Sequence, residues 1–127
     1  MSGPDEIVID PDAAVLVAAR AADAKGGSRT VVLHVGDVLG ITEHFVITSA
    51  PNARLVRAVV DDVEEQVGRA LGIRPIRVEG LDDMRWVLMD YGDWVAHVFL
   101  DEAREFYDLE RLWADVPRVA WAPAAAT

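Results

Sequence analysis

A chain of 127 residues has the length of one domain, and its 52% hydrophobic content is enough for one core without staples, although alanine inflates that figure. It contains no cysteine, which excludes disulfides, thiolate metal sites and cysteine nucleophiles. A net charge of -10 repels phosphate backbones, so direct nucleic-acid binding by charge is disfavoured; such a surface serves solubility or attracts a basic protein.

The start, Met1-Ser2-Gly3-Pro4-Asp5-Glu6, is acidic and lacks the basic-then-apolar plan of a signal peptide. No apolar run approaches the ~20 residues that span a bilayer. The expected setting is the bacterial cytoplasm, away from membranes. Asp10 caps a first helix with Pro11 at its first position, and Val15, Leu16, Ala19 and Ala22 form its apolar face. Gly26-Gly27 ends it. Thr30 to Val35 is a β-branched run that predicts a strand. Asp37 to Glu43 is expected to be a loop with Gly36 and Gly40 as breakers, and Phe45 to Thr48 is a second strand.

The longest helix is expected over Ala53 to Leu71. Val56, Val59, Val60, Val63, Val67 and Leu71 recur at three- and four-residue steps, and Gly72 stops it. Ile76 to Glu79 alternates as a half-buried strand does. Trp86 to Asp90 and Trp94 to Phe99 flank Tyr91-Gly92-Asp93, which predicts a tight hairpin with Leu88 and Val98 in the core. A last helix runs from Asp101 through Trp113, with Tyr107, Leu109, Leu112 and Trp113 expected on the sheet and Arg104 paired to Asp108 on the surface. Pro117 breaks the chain, and residues 114–127 are expected as a flexible tail after a domain over 1–113. The order α-β-β-α-β-β-β-α predicts a single α/β domain. Its mixed sheet of about five strands is covered by helices.

Two motifs are more specific than any pattern. Asp90-Tyr91-Gly92-Asp93-Trp94-Val95-Ala96-His97-Val98-Phe99 is followed by Arg104-Glu105-Phe106-Tyr107-Asp108-Leu109-Glu110-Arg111-Leu112-Trp113. Together they resemble the signature of the ribosomal silencing factor family, also called Iojap-related. Phe45-Val46-Ile47-Thr48-Ser49 before the long helix, and Glu79-Gly80 before Trp86-Val87-Leu88, stand in the matching order. The resemblance covers roughly Pro11 to Trp113. The chain departs from the family's usual Ser-Gly-Asn-Ser turn at Ser49-Ala50-Pro51-Asn52, and from its Gln-Val pair at Leu55-Val56.

The resemblance implies a fold like that of nucleotidyltransferases, without their catalytic motifs. It also implies binding to large-subunit ribosomal protein fourteen, which sterically blocks subunit joining and represses translation when nutrients are short. No cofactor and no catalysis are needed for that. The expected partner-binding residues are Glu79, Trp86, Asp90, Tyr91, Asp93, Glu105 and Tyr107, with Tyr91 as the anchor amid acidic neighbours.

Rival readings remain open. Asp90 and Asp93 could hold a metal or serve as an acid/base pair, but aspartates are ordinary turn residues, which is the reading favoured for them alone. A nucleotidyltransferase-like enzyme needs a Gly-Ser pair after a strand and an Asp-x-Asp; here Gly27-Ser28 precedes the strand, and Asp61-Asp62 are adjacent. There is no Walker loop, no Gly-x-Ser-x-Gly elbow and no paired-histidine zinc spacing. His97 alternates with Val95 and Phe99 and is read as a buried, hydrogen-bonded histidine. A self-associating module, or a homodimer alongside ribosome binding, is the third reading.

Overall fold

The computed structural model describes residues 13–122, with Leu39 described by its backbone alone. Helix α1 (Ala13–Ala24) leads into strand β1 (Ser28–His34). A single turn, α2 (Gly36–Leu39), precedes β2 (His44–Ala50), and the long helix α3 (Ala53–Leu71) follows. Three strands come next: β3 (Arg77–Glu79), β4 (Trp86–Asp90) and β5 (Trp94–Leu100). Helices α4 (Asp101–Tyr107) and α5 (Leu109–Leu112) complete the domain. The sheet order is β1-β2-β5-β4-β3, with β2 and β5 parallel and every other pair antiparallel. Strand β2 lies between two neighbours and is buried at all seven positions. Its run Phe45-Val46-Ile47 is continuously apolar, as a strand covered on both faces requires.

The two faces are unequal. Helices α1 and α3 cover one face, where Val56, Val59, Val60, Val63 and Val67 pack with Val46, Val87, Met89, Trp94, Ala96 and Val98. Asn52 caps α3 by accepting from the Leu55 N–H at 2.9 Å, and Gly72 ends it at φ 70°. The Ala50-Pro51-Asn52 junction therefore supplies a working cap despite its departure from the family pattern. The other face carries Leu33, Phe45, Ile47, Val95 and Phe99, which the short corner α4–α5 covers only in part.

Several expectations need correction. The stretch from Asp37 is not all loop, because Gly36–Leu39 closes one helical turn that Gly40 ends at φ 80°. The last helix is two helices, broken where Asp108 enters the left-handed region at φ 49°. Arg104 does not pair with Asp108 on the surface. It is 2% exposed and bonds Glu110, the Ser28 and Arg29 carbonyls and the Ser49 hydroxyl. Leu88 is half-buried, since it points to the thinly covered face, whereas Val98 is buried under α3. Leu112 points to solvent and Tyr107 is half-exposed, while Leu109 and Trp113 do pack toward the sheet.

Residues 114–122, expected as a loose tail, run along the outer edge of β1. The His34 N–H donates to the Pro117 carbonyl (2.9 Å), the Val119 N–H to the Val32 carbonyl (2.9 Å), and the Trp121 indole to the Thr30 carbonyl (3.0 Å). An edge strand has unpaired backbone groups to satisfy, and this segment satisfies them. The Asp10 cap, the Pro11 position and residues 123–127 lie outside the described residues.

Candidate partner-binding face

The thinly covered face of the sheet is where the two sequence motifs meet. Strand alternation puts Trp86, Leu88 and Asp90 on this face of β4, and ladder register sets them opposite Phe99, His97 and Val95 of β5. On the other side, Glu79 pairs with Leu88, and Arg77 with Asp90. Gly80, at φ 91°, lets the chain leave β3; a side chain there would collide with the Trp86 carbonyl. That close approach fixes how β4 begins.

Trp86 is the hub. Its ring lies 4.9 Å from Phe99 beneath it and 4.9 Å from Tyr107 of α4. Its indole donates to His97 Nδ1 at 3.1 Å. Tyr107 is 46% exposed and meets Phe106, 76% exposed, edge-to-face at 5.0 Å. Leu112 adds a further exposed apolar side chain on α5. Aromatic side chains held on rigid elements, partly desolvated already, are the usual anchors of a protein interface.

The seven expected site residues do not form one cluster. Glu79, Trp86 and Asp90 share the face, and Tyr107 joins them through Trp86. Glu105 is exposed on α4 beside Phe106. Asp93 is exposed in the hairpin turn, where its backbone carbonyl accepts from the Glu43 N–H at 2.7 Å. Tyr91 turns the other way: its ring stacks flat on Trp94 at 4.0 Å, among the residues packed under α1 and α3. Its hydroxyl is buried without a hydrogen-bond partner, and burial, with Glu64 nearby, pushes its pKa up to about 12. Arg77 stands between two of the acids, bonding Glu79 at 3.4 Å and Asp90 at 3.3 Å. Asp90 also closes the hairpin by accepting from the Gly92 N–H at 2.8 Å, the turn role its residue type suggests.

Sequence reasoning missed Phe106 and Leu112 as exposed apolar groups, and His97 as the hydrogen-bond partner of Trp86. Leu112 was expected on the sheet because an unbroken helix keeps one phase, whereas the break at Asp108 shifts it; Phe106 was given no face. The alternation Val95-His97-Phe99 did place His97 inward, and it is 4% exposed. Among the described residues no group of three or more His, Asp or Glu is placed to hold a metal ion, and no helix is long and apolar enough to cross a membrane.

Comparison with known proteins gives this face a context. The chain is 35% identical over 101 residues to the ribosomal silencing factor RsfS of Bacillus subtilis, covering 80% of this chain and 85% of that one. It is 34% identical over 85 residues, 65% of this chain and 37% of the other, to a mouse protein named for mitochondrial assembly of the ribosomal large subunit. A crystal structure of a Chromobacterium violaceum protein superposes with a TM-score of 0.79 at 26% identity, covering 93% of this chain and 97% of that one. The sequence profile described as "Ribosomal silencing factor during starvation" matches residues 9–126. The match takes in both motifs and the segment that follows them, and the chain belongs to the ribosomal silencing factor family.

Proposed function

We propose that this protein binds the large ribosomal subunit through the Trp86–Tyr107 face and thereby blocks joining of the small subunit, repressing translation when nutrients are limiting. The observation that carries this reading is the aromatic group of half-buried Trp86 with exposed Tyr107 and Phe106, held on the sheet and α4; Glu79 and Asp90 share its face, and Glu105 is exposed on α4. Apolar anchors with an acidic rim suit a basic protein surface better than a phosphate backbone, which the net charge of -10 repels. The landing site is a protein of the large subunit, with large-subunit ribosomal protein fourteen the partner that the family resemblance implies. A specific contact of this kind buries about 1,200–2,000 Å². That footprint is large enough to obstruct a second subunit arriving at the same surface. The work is steric, so the protein acts without catalysis or cofactor, in the bacterial cytoplasm where ribosomes are.

Self-association gains less support. The open edge strand β3 is three residues long and carries exposed Arg77 and Glu79, a pattern that blunts strand-to-strand pairing.

Sucrose-gradient sedimentation of purified subunits tests the reading. Saturating protein is expected to shift joined ribosomes into separate subunits, with the protein co-sedimenting with the large one. Unchanged joining at saturation would overturn it.

A further inference from the structure

The orientation of Trp86 is set by a residue beneath it. Trp86 and His97 are diagonal neighbours across the β4–β5 ladder, and the indole N–H donates to His97 Nδ1 at 3.1 Å. An indole nitrogen donates only, so Nδ1 is the acceptor and the neutral ring carries its proton on Nε2. Burial drives the His97 pKa down to about 4, which keeps the ring neutral near pH 7.

Nε2 is buried and has no hydrogen-bond partner, and an unsatisfied buried donor is destabilising. The rest of the ring packs edge-on to Phe45 at 4.5 Å and lies 6.4 Å from Phe99. A phenylalanine in that setting would leave no unsatisfied polar atom at this position. What the imidazole supplies and a hydrocarbon ring does not is the acceptor for Trp86.

We propose that His97 is a positioning residue for partner recognition, locking the Trp86 indole in the orientation in which it and Tyr107 present one surface to the ribosomal protein. This rests on the reading of the face as ribosome-binding. Without the lock the indole gains rotamer freedom, and binding then has to order it. The histidine costs some stability in the free protein, and its benefit appears in the complex.

Two substitutions separate this role from simple packing. His97→Phe keeps a ring and removes the acceptor. His97→Asn removes the ring and keeps an oxygen near the Nδ1 position. Three readouts apply to the full chain: affinity for purified large subunits, the melting midpoint, and the Trp86 indole N–H resonance, assigned with Trp86→Phe. His97→Phe is expected to move the indole resonance, leave the melting midpoint unchanged or raised, and weaken binding about tenfold. His97→Asn is expected to lower the melting midpoint yet bind within about threefold of wild type. Should the phenylalanine variant fail to fold, the asparagine variant decides: folded with weakened binding, it overturns the proposal. An unmoved indole resonance, or wild-type affinity in His97→Phe, overturns it too. Absence of large-subunit binding by the wild type sinks the proposed function and this inference together, whereas wild-type binding matched by His97→Phe sinks this inference alone.

Discussion

Tyr107 and Tyr91 sit in the two sequence motifs of one chain and are put to opposite uses by their surroundings. Tyr107 is half-exposed against Trp86, while Tyr91 is stacked on Trp94 with its hydroxyl buried. Tyr107→Ala is therefore expected to raise the off-rate from large subunits about tenfold, with little change in melting midpoint, as truncation of an interface anchor does. Tyr91→Ala should instead read out as lost stability, with affinity preserved in the folded fraction. Surface plasmon resonance beside thermal melts distinguishes them, and the reverse pattern would show that the wrong tyrosine faces the partner. His97 makes a second residue-level prediction. Its folded-state pKa of about 4 lies below the ordinary histidine value of 6.5, so the unfolded chain takes up the proton first. Burying the charged ring is the penalty: it is absent above pH 6.5, grows as pH falls toward 4, and lowers stability by about 3 kcal/mol across that window. Urea midpoints measured from pH 7 to pH 4 should fall in wild type more steeply than in His97→Phe; parallel curves would refute the assignment.

The corner α4–α5 is held by a buried charge rather than by its own helical propensity. These helices have seven and four residues, too short to be stable alone. Arg104 reaches from α4 to the irregular ladder between Ser28 and Val31, donating to the Ser28 carbonyl at 3.0 Å and the Arg29 carbonyl at 2.7 Å. It also makes a two-pronged pair with Glu110 on α5, at 3.0 and 2.9 Å, which holds the Glu110 carboxyl below its usual pKa. Both helices are thus tied to the end of the sheet, with Tyr107 between them and Trp86. Removing the guanidinium leaves two carbonyls and a carboxylate without it, so Arg104→Met should destabilise the domain by about 3–5 kcal/mol in urea unfolding, the range for breaking a buried pair. A loss below 1 kcal/mol would mean the corner is held otherwise. The hairpin gives a graded comparison in the same assay. Val98→Ala opens a space under α3 and should cost about 1–3 kcal/mol, whereas Leu88→Ala on the half-open face should cost less than the ~2–5 kcal/mol of a fully buried leucine.

Over the whole molecule, the proposed binding assigns steering to the charge of -10 and the tight contact to the aromatic group. Exposed charges are screened beyond about 8 Å at physiological ionic strength, so added salt should lower the on-rate for large subunits and leave the off-rate nearly unchanged. Glu105→Lys, which reverses one exposed charge, should act in the same direction without unfolding the protein. Asp90→Lys is a poorer probe, since Asp90 also closes the hairpin turn and pairs with Arg77. A salt-independent on-rate would remove electrostatic steering from the account.

Residues 53–71 and the hairpin from Trp86 to Phe99 were legible in the sequence because their information is local. A valine stripe at helical spacing with Asn52 before it and Gly72 after it suffices for α3, and alternation around Gly92 suffices for the hairpin. The family, too, was legible, since two contiguous motifs carry it. What a strand's alternation leaves undecided is which of its two faces receives the larger helical cover. That choice set the exposure of Leu88 against Val98 and sent Trp86 and Tyr91 to opposite faces, and it depended on α1 and α3 packing together on one side. Arg104 read as a surface residue because the carbonyls that bury it lie 75 and 76 positions away. Segment 114–122 read as loose because the strand edge it covers is about 85 residues earlier, and no local pattern records that β1 would have a free edge. The sequence by itself determined the elements and the family; the tertiary structure decided the faces, because a face is a relation between segments far apart in the chain.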